Sequence, residues 1–160
     1  MSVGACMTAA GIRLSFEGPV DTPLLEPYVR VAIARSGRAA PLDPDVKVGG
    51  TAISALAGSP ALVAFVTPDC EACSALLQRV SAVGGDAKVI AISEGGAVPG
   101  ATPDPPDRTG RGGGQAQRAL GVTSFPALLA IDGRGRLVAA LSGLPSKAAI
   151  AAALKRAGAG

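Results

Sequence analysis

At 160 residues the chain supports one domain with a real core and is too short for two. It is 48% hydrophobic but only 2% aromatic, so Ala, Val, Leu and Ile must build that core, with Phe16, Phe65, Phe125 and Tyr28 as its only large rings. A net charge of +3, with Arg spread along the whole length, excludes the clustered positive face that nucleic acid requires, and the absence of His excludes His-activated nucleophiles and His-ligated zinc or copper.

In chain order, Val3-Gly4-Ala5-Cys6 has the small-residue layout of a bacterial lipobox. No apolar region precedes it in this sequence, and it reads as a chance run. The N-terminus lacks the charged-then-apolar layout of a signal peptide, and no run of roughly 18 apolar residues follows. Residues 1–44 are expected to form a partly irregular N-terminal extension, because Pro19, Pro23, Pro27 and Pro41 break any long element. Within it, Leu24 to Ala34 fits a short helix and Tyr28 to Ala34 fits a strand equally well.

From residue 45 to 160 the pattern sharpens into one domain. Val46 and Val48 lead into Gly49-Gly50 and then Ala52-Ile53, a small hairpin. Ala61 to Val66 is a continuous apolar run between Pro60 and Pro68, rich in strand formers, and predicts a strand buried on both faces. Thr67-Pro68 then offers a capping hydroxyl and a Pro at the first helical position. Cys73, Leu76, Leu77 and Val80 recur on one face of a helix that stops near Gly84-Gly85. Lys88 to Ser93 is a second buried strand, which completes a βαβ unit with a right-handed crossover. Residues 94–114 are dominated by Gly and Pro and predict a flexible loop, since no apolar periodicity is there to offset ordering entropy. Gln115 to Leu120 makes a short helix. Pro126 opens a strand from Ala127 to Ile131, Asp132-Gly133 begins a turn, Leu137 to Leu141 returns antiparallel, and Ser146 caps a last helix with Ile150 and Leu154 inward. The order β-α-β, loop, α-β-β-α predicts an α/β domain: a central mixed sheet of about four to five strands flanked by helices.

The three cysteines are Cys6 alone and Cys70 with Cys73 as C-x-x-C. An odd count argues against a disulfide-stapled scaffold, and zinc would want four soft ligands where only Cys6 is left to join the pair. Two inert buried cysteines are the plain alternative. Position decides between them: the pair follows a buried strand at the start of a helix, where the macrodipole and unpaired N–H groups favour a thiolate. Cys70 is then the nucleophile, and Cys73, three residues on along the same turn, resolves the mixed disulfide. Asp69 and Glu71 beside Cys70 disfavour its thiolate, which places its pKa in the upper part of the range for such cysteines and favours substrate reduction. A second mark is Phe125-Pro126, just before a strand. A cis Pro there cannot donate to the ladder and turns the preceding backbone toward its neighbours; an ordinary trans Pro opening an edge strand is the alternative.

On these marks, Leu62 to Thr67 followed by Pro68-Asp69-Cys70-Glu71-Ala72-Cys73, then Gly121 to Pro126 and Ile131-Asp132-Gly133, the chain resembles the TlpA-like thiol–disulfide oxidoreductases of the thioredoxin-fold redoxin group, from about Val46 to Arg156. The resemblance implies a single thioredoxin-like domain in which the Phe125-Pro126 loop lies against the cysteines and pairs with an extended substrate chain. It implies disulfide-bearing exported proteins as substrates, a membrane or soluble thiol reductant as electron source, and an extracytoplasmic location. Thr67, Pro68, Phe125 and Pro126 are the candidate substrate-binding residues. No cofactor beyond the Cys70–Cys73 disulfide, no metal and no nucleic-acid partner are expected, and the chain is expected to act as a monomer. Three departures stand out. Ala64, six residues before Cys70, replaces a buried acid that relatives often carry, so proton transfer is expected to rely on water. The 94–114 loop replaces an inserted helix and strand. No N-terminal anchor lies in these residues. Two rivals remain: a non-catalytic redox-switch module on the same fold, and a peroxiredoxin-like thiol peroxidase, for which Thr67 has the right spacing to Cys70 but Val63 stands where a Pro is needed.

Overall fold

The computed structural model describes residues 27–110 and 112–159. Cys6 with its small-residue run, Phe16 and the first residues of the undecided 24–34 stretch lie outside them.

Pro27 sits at the first position of helix α1 (Pro27–Arg35), where its missing N–H has no intrahelical partner to lose. Val31 and Ala34, three apart, are buried, which settles the undecided stretch as helix. Strand β1 (Ala40–Pro41) follows, with Ala40 fully buried. Within residues 27–44, helix and strand pack into the same core as the rest. The prolines were the stronger signal in the sequence, yet Pro27 starts an element and Pro41 stands on an edge strand, the two places that tolerate it.

The hairpin forms as β2 (Lys47–Val48) and β3 (Thr51–Ala52), turning through Gly49 and Gly50, both at positive φ (58° and 83°). A 3-10 turn over Ile53–Leu56 buries Ile53 and Leu56. Strand β4 (Ala61–Val66) is buried at every position, as its unbroken apolar run requires. Helix α2 (Glu71–Val83) buries Cys73, Leu76 and Val80 along one face. Strand β5 (Lys88–Ser93) is exposed at Lys88 and Val89 and closes into the core only at Ile92 and Ser93, because it borders just a two-residue strand, β6 (Thr102–Pro103), on its outer side. Helix α3 (Gln115–Leu120), strands β7 (Ala127–Ile131) and β8 (Arg136–Ser142), and helix α4 (Lys147–Ala159) complete the chain.

The sheet runs β1-β8-β7-β4-β5-β6. Four full strands carry it, and the two-residue strands β1 and β6 extend its edges. β4 is parallel to β5 and antiparallel to β7, so the sheet is mixed as expected. The strict alternation of β4 divides the core. Val63 and Phe65 pack with Ile92, Leu129 and Leu120 on the α1 and α3 side. Leu62 and Ala64 pack with Leu76, Val80 and Ile150 on the α2 and α4 side. Each such large side chain, fully buried, contributes roughly 1.5–3 kcal/mol of hydrophobic stabilisation. Ser146 caps α4 by accepting the Ala149 N–H at 3.1 Å.

The 94–114 segment carries backbone and side-chain ties that its composition does not announce. Asp104 N–H donates to the Ser93 carbonyl at 3.0 Å, Asp107 N–H to the Gly113 carbonyl at 2.9 Å, and Pro106 bridges to Gly114. The Asp104 carboxylate accepts the N–H groups of Ala116 and Gln117 at 2.9 Å each, satisfying the open end of α3. These ties are polar, not apolar burial, and an apolar-periodicity reading cannot detect them. Among the described residues no helix is long and apolar enough to cross a membrane.

Candidate active site

The register Phe65↔Ala127 puts the exit of β4 and the entry to β7 at one end of the sheet. The chain leaves β4 at Val66 and passes through Thr67, Pro68 and Asp69 before α2 begins. Asp69 adopts a left-handed φ of 54°, a conformation that Asp tolerates better than most residues. This kink delays the helix. Pro68 is not its first residue and Thr67 is not its cap, contrary to the sequence reading; both lie in the loop, and Cys70 is the N-cap.

Cys70 is extended (φ −123°, ψ 106°), and its Sγ accepts the Cys73 N–H at 3.1 Å, filling the capping role that a Ser or Asp oxygen has elsewhere. The nucleophile candidate thus lies at the positive end of a helix of 13 residues with a backbone donor aimed at its sulfur. The two sulfurs form a disulfide, with Cα atoms 5.2 Å apart. Their exposure differs: Cys70 is half-buried at the surface of a groove, and Cys73 is only 1% exposed. Asp69 and Glu71 flank Cys70 and are both exposed.

Thr67 touches the inner sulfur. Its N–H donates to Cys73 Sγ at 3.5 Å, and its hydroxyl lies 3.8 Å from the same atom. The peroxidase spacing would need that hydroxyl on Cys70, so the arrangement does not favour the peroxiredoxin reading. Ala64 is fully buried in the α2-side core.

The groove at Cys70 encloses about 640 Å³. Thr67, Pro68, Cys70 and Cys73 form one wall, and Ala97, Val98 and Pro99 form the other. Sequence reading missed this second wall. Its one trace was Gly96, where a Cβ would come within 2.9 Å of Pro68 Cγ, so only glycine lets the two loops close up. The Phe125–Pro126 bond is cis. Phe125 packs against the core and Pro126 is buried; neither is among the groove's lining residues, although both stand at the same end of the sheet. Thr67, Pro68, Cys70 and Cys73 are therefore brought together, and Phe125 and Pro126 sit one strand over.

Also missed was a buried acid. Glu94 follows β5, donates its backbone N–H to the Val66 carbonyl at 2.9 Å, and is 7% exposed. Its carboxyl is pushed up to about 8, first by burial, then by a hydrogen bond to Asp104 and by that neighbour's charge, with the Gly114 backbone pulling the other way. Its Oε2 has no hydrogen-bond partner among the described residues. Also among the described residues, no group of three or more Cys, Asp or Glu is placed to hold a metal ion.

A mixed sheet flanked by helices, a cis Pro before β7 and a paired dithiol at a helix start define a thioredoxin-fold protein with a C-x-x-C disulfide. The family model of the thioredoxin-like domain matches residues 51–158, and the chain belongs to that family. Its fold is similar to a thioredoxin-family thiol:disulfide interchange protein from Chlorobium tepidum, at a TM-score of 0.54 and 17% identity over 76% of this chain and 98% of that one. It is also similar to a thiol-disulfide isomerase from Corynebacterium glutamicum (TM-score 0.52, 14% identity, 75% and 95% covered). A DsbF homologue from Corynebacterium diphtheriae aligns with a TM-score of 0.50 and 14% identity over 75% and 88%. No curated protein matches the sequence.

Proposed function

We propose that the chain is a TlpA-like thiol–disulfide oxidoreductase that reduces disulfides in exported proteins. The observation that carries this reading is the asymmetry of the pair: Cys70 Sγ faces a groove and takes a backbone N–H at 3.1 Å, while Cys73 is buried behind it. In the reduced chain the Cys70 thiolate attacks one sulfur of a substrate disulfide. A Cys70–substrate bond forms, and the first substrate sulfur leaves with the electron pair and takes up a proton. Cys73, deprotonated, then attacks Cys70 Sγ; the Cys70–Cys73 bond forms and the second substrate sulfur leaves as a thiol. The substrate gains two electrons, the pair loses two, and an external dithiol, soluble or membrane-bound, restores it. Thr67 and Pro68 line the path to Cys70, and the Phe125–Pro126 backbone serves the extended substrate chain from the next strand. No dissociable cofactor enters these steps. The protein acts as a monomer on the extracytoplasmic side.

The test is reduction of insulin disulfides with a small dithiol as donor. Wild type is expected to accelerate the reaction, Cys70→Ser to lose the acceleration, and Cys73→Ser to accumulate the mixed disulfide. Equal rates for wild type and Cys70→Ser would overturn the reading in favour of a redox-switch module. A reduction potential above about −180 mV would reverse the direction and make the protein an oxidant.

A further inference from the structure

We propose that Thr67 is a positioning residue for the resolving step, its hydroxyl holding Cys73 in both protonation states. The inference rests on the oxidoreductase reading and deepens it.

Cys73 is 1% exposed, so its thiolate has little access to water and needs a local donor to exist at all. Ala64 on the preceding strand is fully buried and offers no polar side-chain atom. Thr67 is placed to act instead. Its N–H and its hydroxyl converge on one sulfur at 3.5 Å and 3.8 Å, and the residue itself is only half-buried at the groove wall. A hydroxyl is both donor and acceptor. It accepts from the Cys73 S–H in the reduced chain and, after rotation, donates to the thiolate as the proton departs to the groove. The N–H can only donate. Among the described residues the hydroxyl is thus the side-chain group on Cys73 that suits the thiol before the proton leaves and the thiolate after it.

The experiment separates this hold from the activity. In a full-length Cys6→Ser, Cys70→Ser background, Cys73 is the single thiol, and its ionisation is followed by thiolate absorbance. Thr67→Val keeps the branched shape and the backbone N–H but removes the hydroxyl; Thr67→Ser keeps the hydroxyl. Thr67→Val is expected to raise the Cys73 pKa by about one unit, a tenfold loss of thiolate below it, while Thr67→Ser stays with the parent. With both active-site cysteines restored, resolution of a Cys70–glutathione mixed disulfide gives a second readout. A higher pKa also makes the thiolate more nucleophilic by roughly half the shift, so Thr67→Val should resolve about threefold slower below the pKa and about threefold faster above it. A packing defect would not produce that crossing. Identical titrations for Thr67, Thr67→Ser and Thr67→Val overturn the proposal, as does a Thr67→Ser shift equal to that of Thr67→Val. The titration needs no substrate, so a chain that shows the shift but reduces no insulin would sink the oxidoreductase reading alone.

Discussion

Glu94, just past β5, and Asp104, just past β6, meet near the start of α3, where burial, a hydrogen bond with Asp104 and the charge of Asp104 raise the Glu94 pKa. Both Asp104 oxygens accept backbone N–H groups, from Ala116 and Gln117, and burial together with this neighbour makes Glu94 hold its proton. The sign of the pH dependence follows. The Glu94 pKa is raised from 4.5 to about 8, so between those values the folded chain retains a proton that the unfolded chain has released. This contribution to stability is full below 4.5, declines as pH rises toward about 8, and is gone above it. Glu94→Gln, which keeps a donor for Asp104 and cannot ionise, should flatten that decline. Urea midpoints of the two proteins compared from about pH 5 to about pH 9 should converge on the acid side and favour the variant on the alkaline side. Parallel curves would refute the assignment.

Asp104→Ala should cost about 1–2 kcal/mol, the usual price of an N-terminal helix cap. It should also shrink the Glu94 effect, because the hydrogen bond and the charge that raise the Glu94 pKa both come from Asp104. The double variant with Glu94→Gln is then less stable at alkaline pH than the two single changes added together predict, because each of them already relieves the same repulsion. Additive losses across the whole pH range would mean the two groups do not sense each other.

These two residues also mark where the sequence stopped being informative. β4, α2 and β7 were legible because each carries its own period: six consecutive apolar residues, a 3-4 spacing from Cys73 to Val80, and a run behind Pro126. The site pair was legible for the same reason, since a C-x-x-C after a buried strand has few other uses. The second groove wall and the Glu94–Asp104 pair were not. They rest on contacts between residues far apart in a Gly- and Pro-rich segment, where no periodicity announces which polar groups will meet. α1 and β1 were obscured differently: proline is a breaker inside an element but a starter at its edge, and only the finished fold says which.

Cys70 itself offers a third test. Asp69 and Glu71 flank it, and both are exposed, so water screens each charge. Asp69→Asn with Glu71→Gln should lower the Cys70 pKa by less than about one unit and shift the pair toward a more oxidising potential, since a stabilised thiolate favours the reduced form. Asn suits the left-handed φ of 54° at position 69, so the loop should keep its shape. The thiolate absorbance of Cys70, with Cys6 and Cys73 replaced by Ser, reads the first effect, and equilibration with glutathione in the intact pair reads the second. An unchanged or raised pKa would show that these carboxylates do not act on the sulfur.

Asp132 tests the separation of stability from chemistry. It is fully buried in the turn between β7 and β8, where Oδ1 accepts the N–H groups of Arg134 and Arg136 at 2.9 Å each and Oδ2 accepts from Arg136 Nε at 2.8 Å. Asp132→Ala leaves the two backbone donors without their acceptor; Arg136 is partly exposed and can turn to water. The expected cost is about 2–4 kcal/mol. Asp132→Asn, which still offers one oxygen to the turn, should cost less, about 1–2 kcal/mol. The register Ala61↔Ile131 places this turn at the end of the sheet opposite Cys70, so either variant, assayed well below its unfolding temperature, should reduce insulin disulfides at the wild-type rate. A variant that stays folded by circular dichroism yet loses the activity would show that the two ends of the sheet are coupled.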